Sequence, residues 1–333
     1  MDTNDTNKQK FFIVIGVVIF ALLVLVSIVI QVSRSPSNFP VGIIVTIPAG
    51  STVTDASHIL AQAGIIRSSF VYVAYTFLVH DGHGIKAGSY LFDQPESVLR
   101  VVYRLAFGIQ GLTKIKITIP EGSNYRDLSK ILGLNLNEFA SSTSFSSSTF
   151  LTEAKANEGY LFPDTYFFYS NTTGEQVIST MRANFNEQIK AIATSSANFS
   201  IKNHVTMKDI VTMASIVEKE ATSTADRQII AGILWKRIAD SYPLQVDPPF
   251  YYFLGKDSSR LTLADLAVDS PYNLYKNKGL PPTPIDNPGI DALFATVNPT
   301  ATKYWYYLSD KKGGMHYAIT YEQHLVNKAE YVN

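Results

Sequence analysis

The chain contains no cysteine among its 333 residues. Disulfide bonds, thiolate metal sites and a cysteine nucleophile are therefore excluded, and packing and hydrogen bonds must stabilise the fold. Six histidines are scattered along the sequence without a close pair of the HExxH type, which argues against a dedicated metal site. We expect neither a metal nor another cofactor.

An excess of one charge sign is also missing. Lys plus Arg and Asp plus Glu each number 28, and no long basic run is present. A basic patch or stripe is the electrostatic signature of proteins that bind nucleic acids. We therefore expect no nucleic-acid partner.

One long apolar run is present, FFIVIGVVIFALLVLVSIVI from Phe11 to Ile30. At 1.5 Å rise per residue, about 20 apolar residues match a hydrocarbon core of roughly 30 Å. Two lysines precede the run and only Arg34 follows closely, so the positive-inside rule leaves the N-terminus in the cytoplasm. A cleaved signal peptide is the alternative, but its apolar region is usually about 7–15 residues and ends at an A-x-A-like site. We predict a single-pass anchor in the lipid bilayer of the plasma (inner) membrane, with the C-terminal domains extracytoplasmic.

An internal sequence repeat follows the anchor. VTIPAGSTVTDASHIL at Val45 to Leu60 matches ITIPEGSNYRDLSKIL at Ile117 to Leu132. Each copy predicts a strand that ends at a Pro-x-Gly turn, then a polar residue that caps a helix. We interpret each copy as the opening of a domain; a chance recurrence of a common strand-turn-helix start is the alternative.

These features predict five segments and two α+β domains. The segments are a cytoplasmic N-terminus at 1–10, a transmembrane helix at 11–32, a tether at 33–40, a small domain at 41–112 and a larger domain at 113–333. Ser97 is expected to open the last helix of the small domain. The Ser/Thr-rich stretch at 140–149 is predicted to be a solvated loop.

The segment TMKDIVTMASIVEKEA at Thr206 to Ala221 predicts an amphipathic helix. A Thr-x-x-Asp capping signal opens it, and apolar residues follow at i, i+3, i+4 and i+7. Glu218 and Glu220 lie in its last turn, where the negative end of the helix dipole disfavours carboxylates, and a broken local rule points to function. The two acids lie about 200° apart around the axis, so periodicity does not choose between them. Two solvated surface acids are the structural alternative.

Several blocks, in order, are similar to the MltG (YceG-like) family of endolytic murein transglycosylases. They are KAGSYLF (86–92), IPEGSNYRDL (119–128), EGYLFPDTYFF (158–168), MASIVEKEA (213–221), LQVDP (244–248), SPYNLY (270–275) with GLPPTPIDNPG (279–289), and GGMHYAITYEQH (313–324). The resemblance covers nearly the whole chain. The chain departs from the pattern at Pro249, where Thr is common, and at Thr283, where Gly is common.

The resemblance implies a fold and an activity. The fold would be α+β, with a single N-terminal transmembrane helix, a small LysM-like module at 41–112 and a larger YceG-like catalytic domain at 113–333. The activity would be that of a lyase that cleaves the MurNAc–GlcNAc β-1,4 bond of nascent peptidoglycan and leaves 1,6-anhydro-MurNAc ends. Glu218 would be the catalytic acid and then the base. Peptidoglycan glycan strands would be the substrate, and peptidoglycan synthases are candidate protein partners.

Other residues are candidates for substrate binding. Gln245, Asp247, Tyr272 and Asn273 lie in loops punctuated by proline, which hold side chains stiffly, although Asp247 could equally form a turn and Asn273 a cap. His316 follows a Gly-Gly turn and either faces the cleft or bonds to backbone in a hairpin.

We expect Glu218 at the floor of a cleft, approached by Gln245, Asp247 and Asn273, with its pKa raised by desolvation. Two other functions remain open. One is a catalytically silent scaffold that holds glycan, and the other is a hydrolytic muramidase that pairs Glu218 with Asp247 or Asp164.

Overall fold

The computed structural model describes residues 3–80, 84–139 and 147–332. The chain divides into two compact units, Met1–Thr113 and Lys114–Asn333, and both combine helices with antiparallel strand pairs. The α+β class expected from the sequence is confirmed.

The first unit begins with a long apolar helix, α1 (Thr3–Ser33). Its stretch Ile13–Ser33 is exposed along its length and is long and apolar enough to cross a membrane. The segment predicted as a tether is packed on the rest of the unit. The Ser35 carbonyl accepts hydrogen bonds from Arg67, and Phe39 is buried edge-on against Phe92.

The remainder of the first unit is a small α+β module. Strand β1 (Ile43–Ile47) pairs antiparallel with β2 (Gly88–Phe92), so that Val45 lies opposite Tyr90. Helices α2 (Val53–Gln62), α3 (Ser69–His80) and α4 (Val98–Phe107) complete it. Ser97 caps α4 as predicted, and the apolar face of α4 is buried in the core.

The second unit contains two further antiparallel pairs. Strand β3 (Lys114–Thr118) pairs with β4 (Thr165–Tyr169), and β5 (Tyr306–Ser309) pairs with β6 (Met315–Ala318). Its helices are α5 (Tyr125–Phe139), α6 (Ser147–Ala156), α7 (Gly174–Gln188), α8 (Ala193–Asn203), α9 (Met207–Glu220), α10 (Thr224–Ala239), α11 (Pro248–Leu254), α12 (Leu263–Leu266), α13 (Ile290–Val297) and α14 (Tyr321–Tyr331), with 3-10 turns at Ile189–Ile192 and Ser258–Arg260. Of the stretch predicted as a Ser/Thr-rich loop, residues 140–146 lie outside the described residues and residues 147–149 begin α6.

Both copies of the sequence repeat form the predicted strand, turn and capped helix. In the first copy Thr52 caps α2 and exchanges hydrogen bonds with Asp55. In the second copy Asn124 Oδ1 accepts hydrogen bonds from the backbone N–H groups of Arg126 and Asp127, at 2.9 and 3.2 Å, at the start of α5. The shared residues therefore encode a shared local structure.

Helix α9 is the central element of the second unit. Its N-terminus carries the predicted capping box between Thr206 and Asp209. The amphipathic prediction is wrong for its middle, because every residue from Ile210 to Val217 is buried. Helices α10, α11 and α13 pack against it, and the polar Ser215 is satisfied inside, where its Oγ donates to the Thr212 carbonyl and accepts from the Ile285 N–H. The last turn of α9 therefore carries its acids toward two different environments.

Candidate active site

Glu218 is held in a buried ion pair. Its side chain is 5% exposed, and Oε1 accepts a hydrogen bond from Arg227 Nη2 on α10 at 2.5 Å. Oε2 accepts from the backbone N–H of Gly289 at 2.9 Å. Burial raises the pKa of Glu218, whereas the Gly289 N–H and the Arg227 charge stabilise its ionised form. Both carboxyl oxygens are therefore engaged with the protein.

Four of the sequence blocks meet at this end of α9. In the loop before α5, Gly122 has φ +69°, and an added Cβ there would lie 2.7 Å from Lys219 Nζ and 3.3 Å from Glu218 Cγ, so this approach requires glycine. Asn287 connects the other blocks. Its Oδ1 accepts from the N–H groups of Gly159 and Leu161, and its Nδ2 donates to the Ser123 carbonyl and to Glu158.

Glu158 acts within this network as a structural acid. Its Oε2 accepts from the N–H of Tyr125 at 3.1 Å, and its Oε1 accepts from Asn287 at 2.9 Å. Burial raises the pKa of Glu158 to about 8. The acid therefore joins the start of α5, at Tyr125, to the loop that carries Asn287.

Glu220 lines a cavity of about 620 Å³. The polar lining of this cavity includes Arg237, Gln245, Asp247, Tyr275, Tyr307 and His324. The side chains come from α10, the loop before α11, the SPYNLY block, strand β5 and helix α14. We call this space the Glu220 cavity.

The electrostatics of the Glu220 cavity favour a carboxyl that titrates near neutrality. Burial raises the pKa of Glu220 to about 7, and the negative charge of Asp247 adds to this effect. The Tyr307 hydroxyl and the positive charge of Arg237 oppose it. The Tyr275 hydroxyl donates to Asp247 Oδ1 at 2.6 Å and fixes that carboxylate on the cavity wall.

Two of the predicted binding residues, Gln245 and Asp247, lie in this cavity. The backbone of Gln245 is left-handed, with φ +49°, and its N–H donates to the Leu274 carbonyl at 3.0 Å. Such strained backbone is concentrated at functional sites. The sequence placed both residues beside Glu218, but the structure brings them to Glu220, because Glu218 points instead to Arg227.

Three other candidates are not among the residues that line the Glu220 cavity. Asn273 is fully buried, and its Nδ2 donates to the carbonyls of Leu266 and Val268. The Tyr272 hydroxyl lies 2.7 Å from Thr283 Oγ1. His316 lies in the β5–β6 hairpin.

His316 and Asp164 have structural contacts. His316 Nε2 is 3.0 Å from Asp310 Oδ2, and its ring stacks on Tyr331 with the centroids 3.6 Å apart. Asp164 accepts from the Thr165 N–H and from Asn184. Neither contact involves the Glu220 cavity.

Sequence reasoning missed four polar cavity residues, Arg237, Tyr275, Tyr307 and His324. Arg237 belongs to an ordinary helical pattern, and the chain contains 19 tyrosines. No spacing signal could have selected these four, because α10, the SPYNLY block, β5 and α14 meet only in the folded chain. Among the described residues, no group of three or more His, Asp or Glu side chains could hold a metal ion.

The sequence profile of the YceG-like family matches residues 45–330. The chain belongs to the YceG-like family. The family resemblance inferred from the sequence blocks is therefore confirmed.

Two curated relatives share its sequence over most of its length. An endolytic murein transglycosylase of Bacillus subtilis is 30% identical over 317 residues, which cover 87% of this chain and 84% of that protein. An endolytic murein transglycosylase of Streptococcus pneumoniae is 31% identical over 325 residues, which cover 87% of this chain but 58% of that protein. The YceG-like chain thus spans little more than half of the pneumococcal relative.

A solved structure shows a similar fold. The crystal structure of a YceG-like protein from Listeria monocytogenes is 29% identical, with a TM-score of 0.56, and the match covers 85% of this chain and 98% of that one.

Proposed function

We propose that this YceG-like chain is a membrane-anchored endolytic lytic transglycosylase. It cleaves the MurNAc–GlcNAc β-1,4 bond of nascent peptidoglycan and leaves 1,6-anhydro-MurNAc ends. The names of the two curated relatives support the reaction class. The observation that carries the proposal for this chain is an acid with a pKa of about 7 on the wall of a cavity of about 620 Å³, within the usual size range of small-molecule and sugar sites.

The reaction requires one group that acts first as an acid and then as a base. The protonated carboxyl donates its proton to the leaving O4, while the bond between that oxygen and C1 breaks. The C6 hydroxyl of the same sugar attacks C1, and the carboxylate takes the proton of that hydroxyl. No water is consumed, and the carboxyl is protonated again at the end. A pKa near the working pH suits both steps.

We assign this role to Glu220. Gln245, Asp247 and Tyr275 supply polar groups around the place where positive charge develops on the sugar ring. Glu218, with both oxygens engaged by Arg227 and Gly289, holds the end of α9. The resemblance gives the acid/base role to Glu218 instead, and burial also raises the pKa of that acid, so the two acids are tested against each other.

The two glutamates can be tested as a matched pair. Glu220→Gln is expected to abolish cleavage with unchanged melting, because an amide is nearly isosteric but cannot donate and retrieve the proton. Glu218→Gln is expected to lower stability, because it leaves the buried Arg227 charge without its partner, while the folded fraction keeps cleaving. Loss of cleavage only in Glu218→Gln, with unchanged melting, would return the catalytic role to Glu218.

We further propose the arrangement of the chain outside the cavity. α1 anchors the protein in the plasma (inner) membrane with both units extracytoplasmic, and the charge flanks of Phe11 to Ile30 support this topology. Residues 41–112 form a LysM-like module that holds glycan strands; the β1–α2–α3–β2 order supports it. Residues 113–333 form the catalytic domain, and peptidoglycan synthases are its candidate partners.

Product analysis separates the proposal from its two alternatives. Full-length protein in detergent would be incubated with glycan strands and the ends examined by mass spectrometry. Anhydro ends support the lytic reaction. Reducing ends would identify a hydrolytic muramidase in which a second carboxylate takes part; Asp247, which lines the same cavity as Glu220, is the candidate. Intact strands would identify a silent glycan-binding scaffold.

A further inference from the structure

Helix α3 exposes a stripe of large apolar side chains. Phe70, Phe77 and Leu78 are 81%, 61% and 80% exposed, and Ala74 lies between them on the same side. The spacing i, i+4, i+7 and i+8 places all four residues within about 100° of the helix circumference. We call this surface the α3 face.

The core of the small module does not explain the α3 face. Tyr72 and Thr76, on the opposite side of α3, are fully buried and fix which side packs inward. Adjacent exposed residues of this size are uncommon on monomeric soluble proteins and mark contact surfaces.

The position of α3 indicates what covers this face. The hydroxyl of Tyr75, which belongs to α3, lies 3.1 Å from Oγ of Ser33, the last residue of α1. The Arg67 side chain donates to the Ser35 carbonyl at 2.8 and 3.2 Å. Since Phe39 is also buried in the module, the connection after α1 is fixed. Helix α3, which carries this face, therefore contacts the end of the apolar stretch Ile13–Ser33.

We propose that the α3 face docks into the outer surface of the bilayer that α1 spans. The inference rests on the membrane anchor in the proposed function. Phe70, Phe77 and Leu78 would lie at the boundary between headgroups and acyl chains, as the apolar faces of interfacial helices do. Docking holds the small module on the membrane surface, so that residues 33–40 do not act as a free linker.

Site-directed spin labelling tests this directly, because the chain has no cysteine to give background labelling. Full-length Phe77→Cys would be labelled with a nitroxide and reconstituted in vesicles of phosphatidylglycerol and phosphatidylethanolamine. Collision rates with oxygen, which concentrates in the bilayer, and with a water-soluble nickel complex would be compared. At Phe77→Cys the oxygen collisions are expected to dominate.

Labels at two further positions serve as controls for Phe77→Cys. His58→Cys reports on α2, where His58 is an exposed polar residue; the nickel complex is expected to dominate there. Leu22→Cys, in the middle of α1, reports on the anchor itself.

An aqueous Phe77→Cys beside a lipid-exposed Leu22→Cys would overturn the docking and leave the anchor intact. An aqueous Leu22→Cys would overturn the anchor. A Phe77→Cys label that is immobilised yet shielded from both oxygen and nickel would show that protein, such as a second copy of the chain, covers the face, which also overturns the proposal.

Discussion

Glu218 and Glu220 lie in one turn of α9 but have different neighbours. Glu218 meets the guanidinium of Arg227 in a buried pair, whereas Glu220 meets the negative Asp247 and a cavity. Burial raises the pKa of both carboxyls. The Arg227 charge opposes this rise at Glu218, whereas the negative charge of Asp247 adds to it at Glu220. Position in the helix alone therefore does not define the chemistry of either acid.

The rate of glycan cleavage should depend on pH through Glu220. Only the protonated carboxyl can start the reaction, so the rate should fall as pH rises through the pKa of Glu220 at about 7. Asp247→Asn removes a negative charge that raises this pKa, so the fall should move to lower pH. Asp257→Asn, outside the Glu220 cavity, should leave the profile in place. Identical profiles for wild type and Asp247→Asn would contradict the electrostatic coupling.

Asp286 should destabilise the fold as pH rises. It is buried, neither carboxyl oxygen has a hydrogen-bond partner among the described residues, and burial raises its pKa well above the usual value. The folded state then binds the proton more tightly than the unfolded state, whose pKa is about 3.9. Stability should therefore fall from about pH 4 toward the folded pKa, by at most about 1.4 kcal/mol per pH unit.

Asp286→Asn checks this dependence. In denaturant unfolding of the second unit, the variant should match wild type near pH 4 and become more stable than wild type as pH rises. A difference that does not change with pH would show that Asp286 is already ionised in the fold.

The sequence predicted individual cavity residues better than their arrangement. Gln245 and Asp247 were found because a proline-punctuated loop restricts the backbone, and both line the cavity. Asn273 came from a similar loop, but its amide is used by the backbone of residues 266 and 268. Which polar side chain of a stiff loop faces a cavity depends on the elements that surround it, and no spacing in one sequence reports those elements.

At the scale of elements, local signals were reliable where the interactions are local. The caps at Thr52, Ser97 and Thr206 each bond within three residues and were readable in advance. The burial of the middle of α9 on all sides was not, because it depends on α10 and α13, which pack against α9, and on the Ile285 N–H, which satisfies Ser215. Small polar residues inside a helix look like a solvent face until their hydrogen bonds are known.

At Gly232, a contact between α10 and the loop that carries Thr300 opposes what helix propensity alone would predict for a substitution. In α10, an added Cβ at Gly232 would lie 2.1 Å from the Thr300 carbonyl oxygen, and the Thr300 N–H is itself bonded to Gln228 at 2.9 Å. Helix propensity favours Gly232→Ala by about 1 kcal/mol, but overpacking against backbone costs about 1–3 kcal/mol or more. We expect net destabilisation in denaturant unfolding.

Gly174→Ala is the matched control for Gly232→Ala. Gly174 begins α7, and its added Cβ would meet only ordinary contacts, the nearest at 3.4 Å to Phe150. It should be neutral or stabilising by up to about 1 kcal/mol. A stabilised Gly232→Ala would show that the Thr300 loop moves aside at little cost.

At the scale of the whole molecule, each copy of the strand-turn-helix opening begins a unit that packs around its own buried residues. The small module packs around Tyr72, Tyr90 and Phe92, and the larger unit packs around α9. The repeat was visible because Pro, Gly and capping residues have positional requirements. The packing of each core was not visible, because it joins residues that are distant in sequence.

The two units should respond separately to proteolysis. Residues 109, 111 and 113, just before β3, are exposed, so a protease added to the full chain in detergent should cut there first and leave a resistant fragment that begins near Gly111. That fragment should melt in a transition of its own and retain glycan cleavage, because every residue that lines the Glu220 cavity follows the cut. Early cuts within Thr206 to Ala221 would contradict the division, since the middle of α9 could be reached only if the larger unit opened before the connection was cleaved.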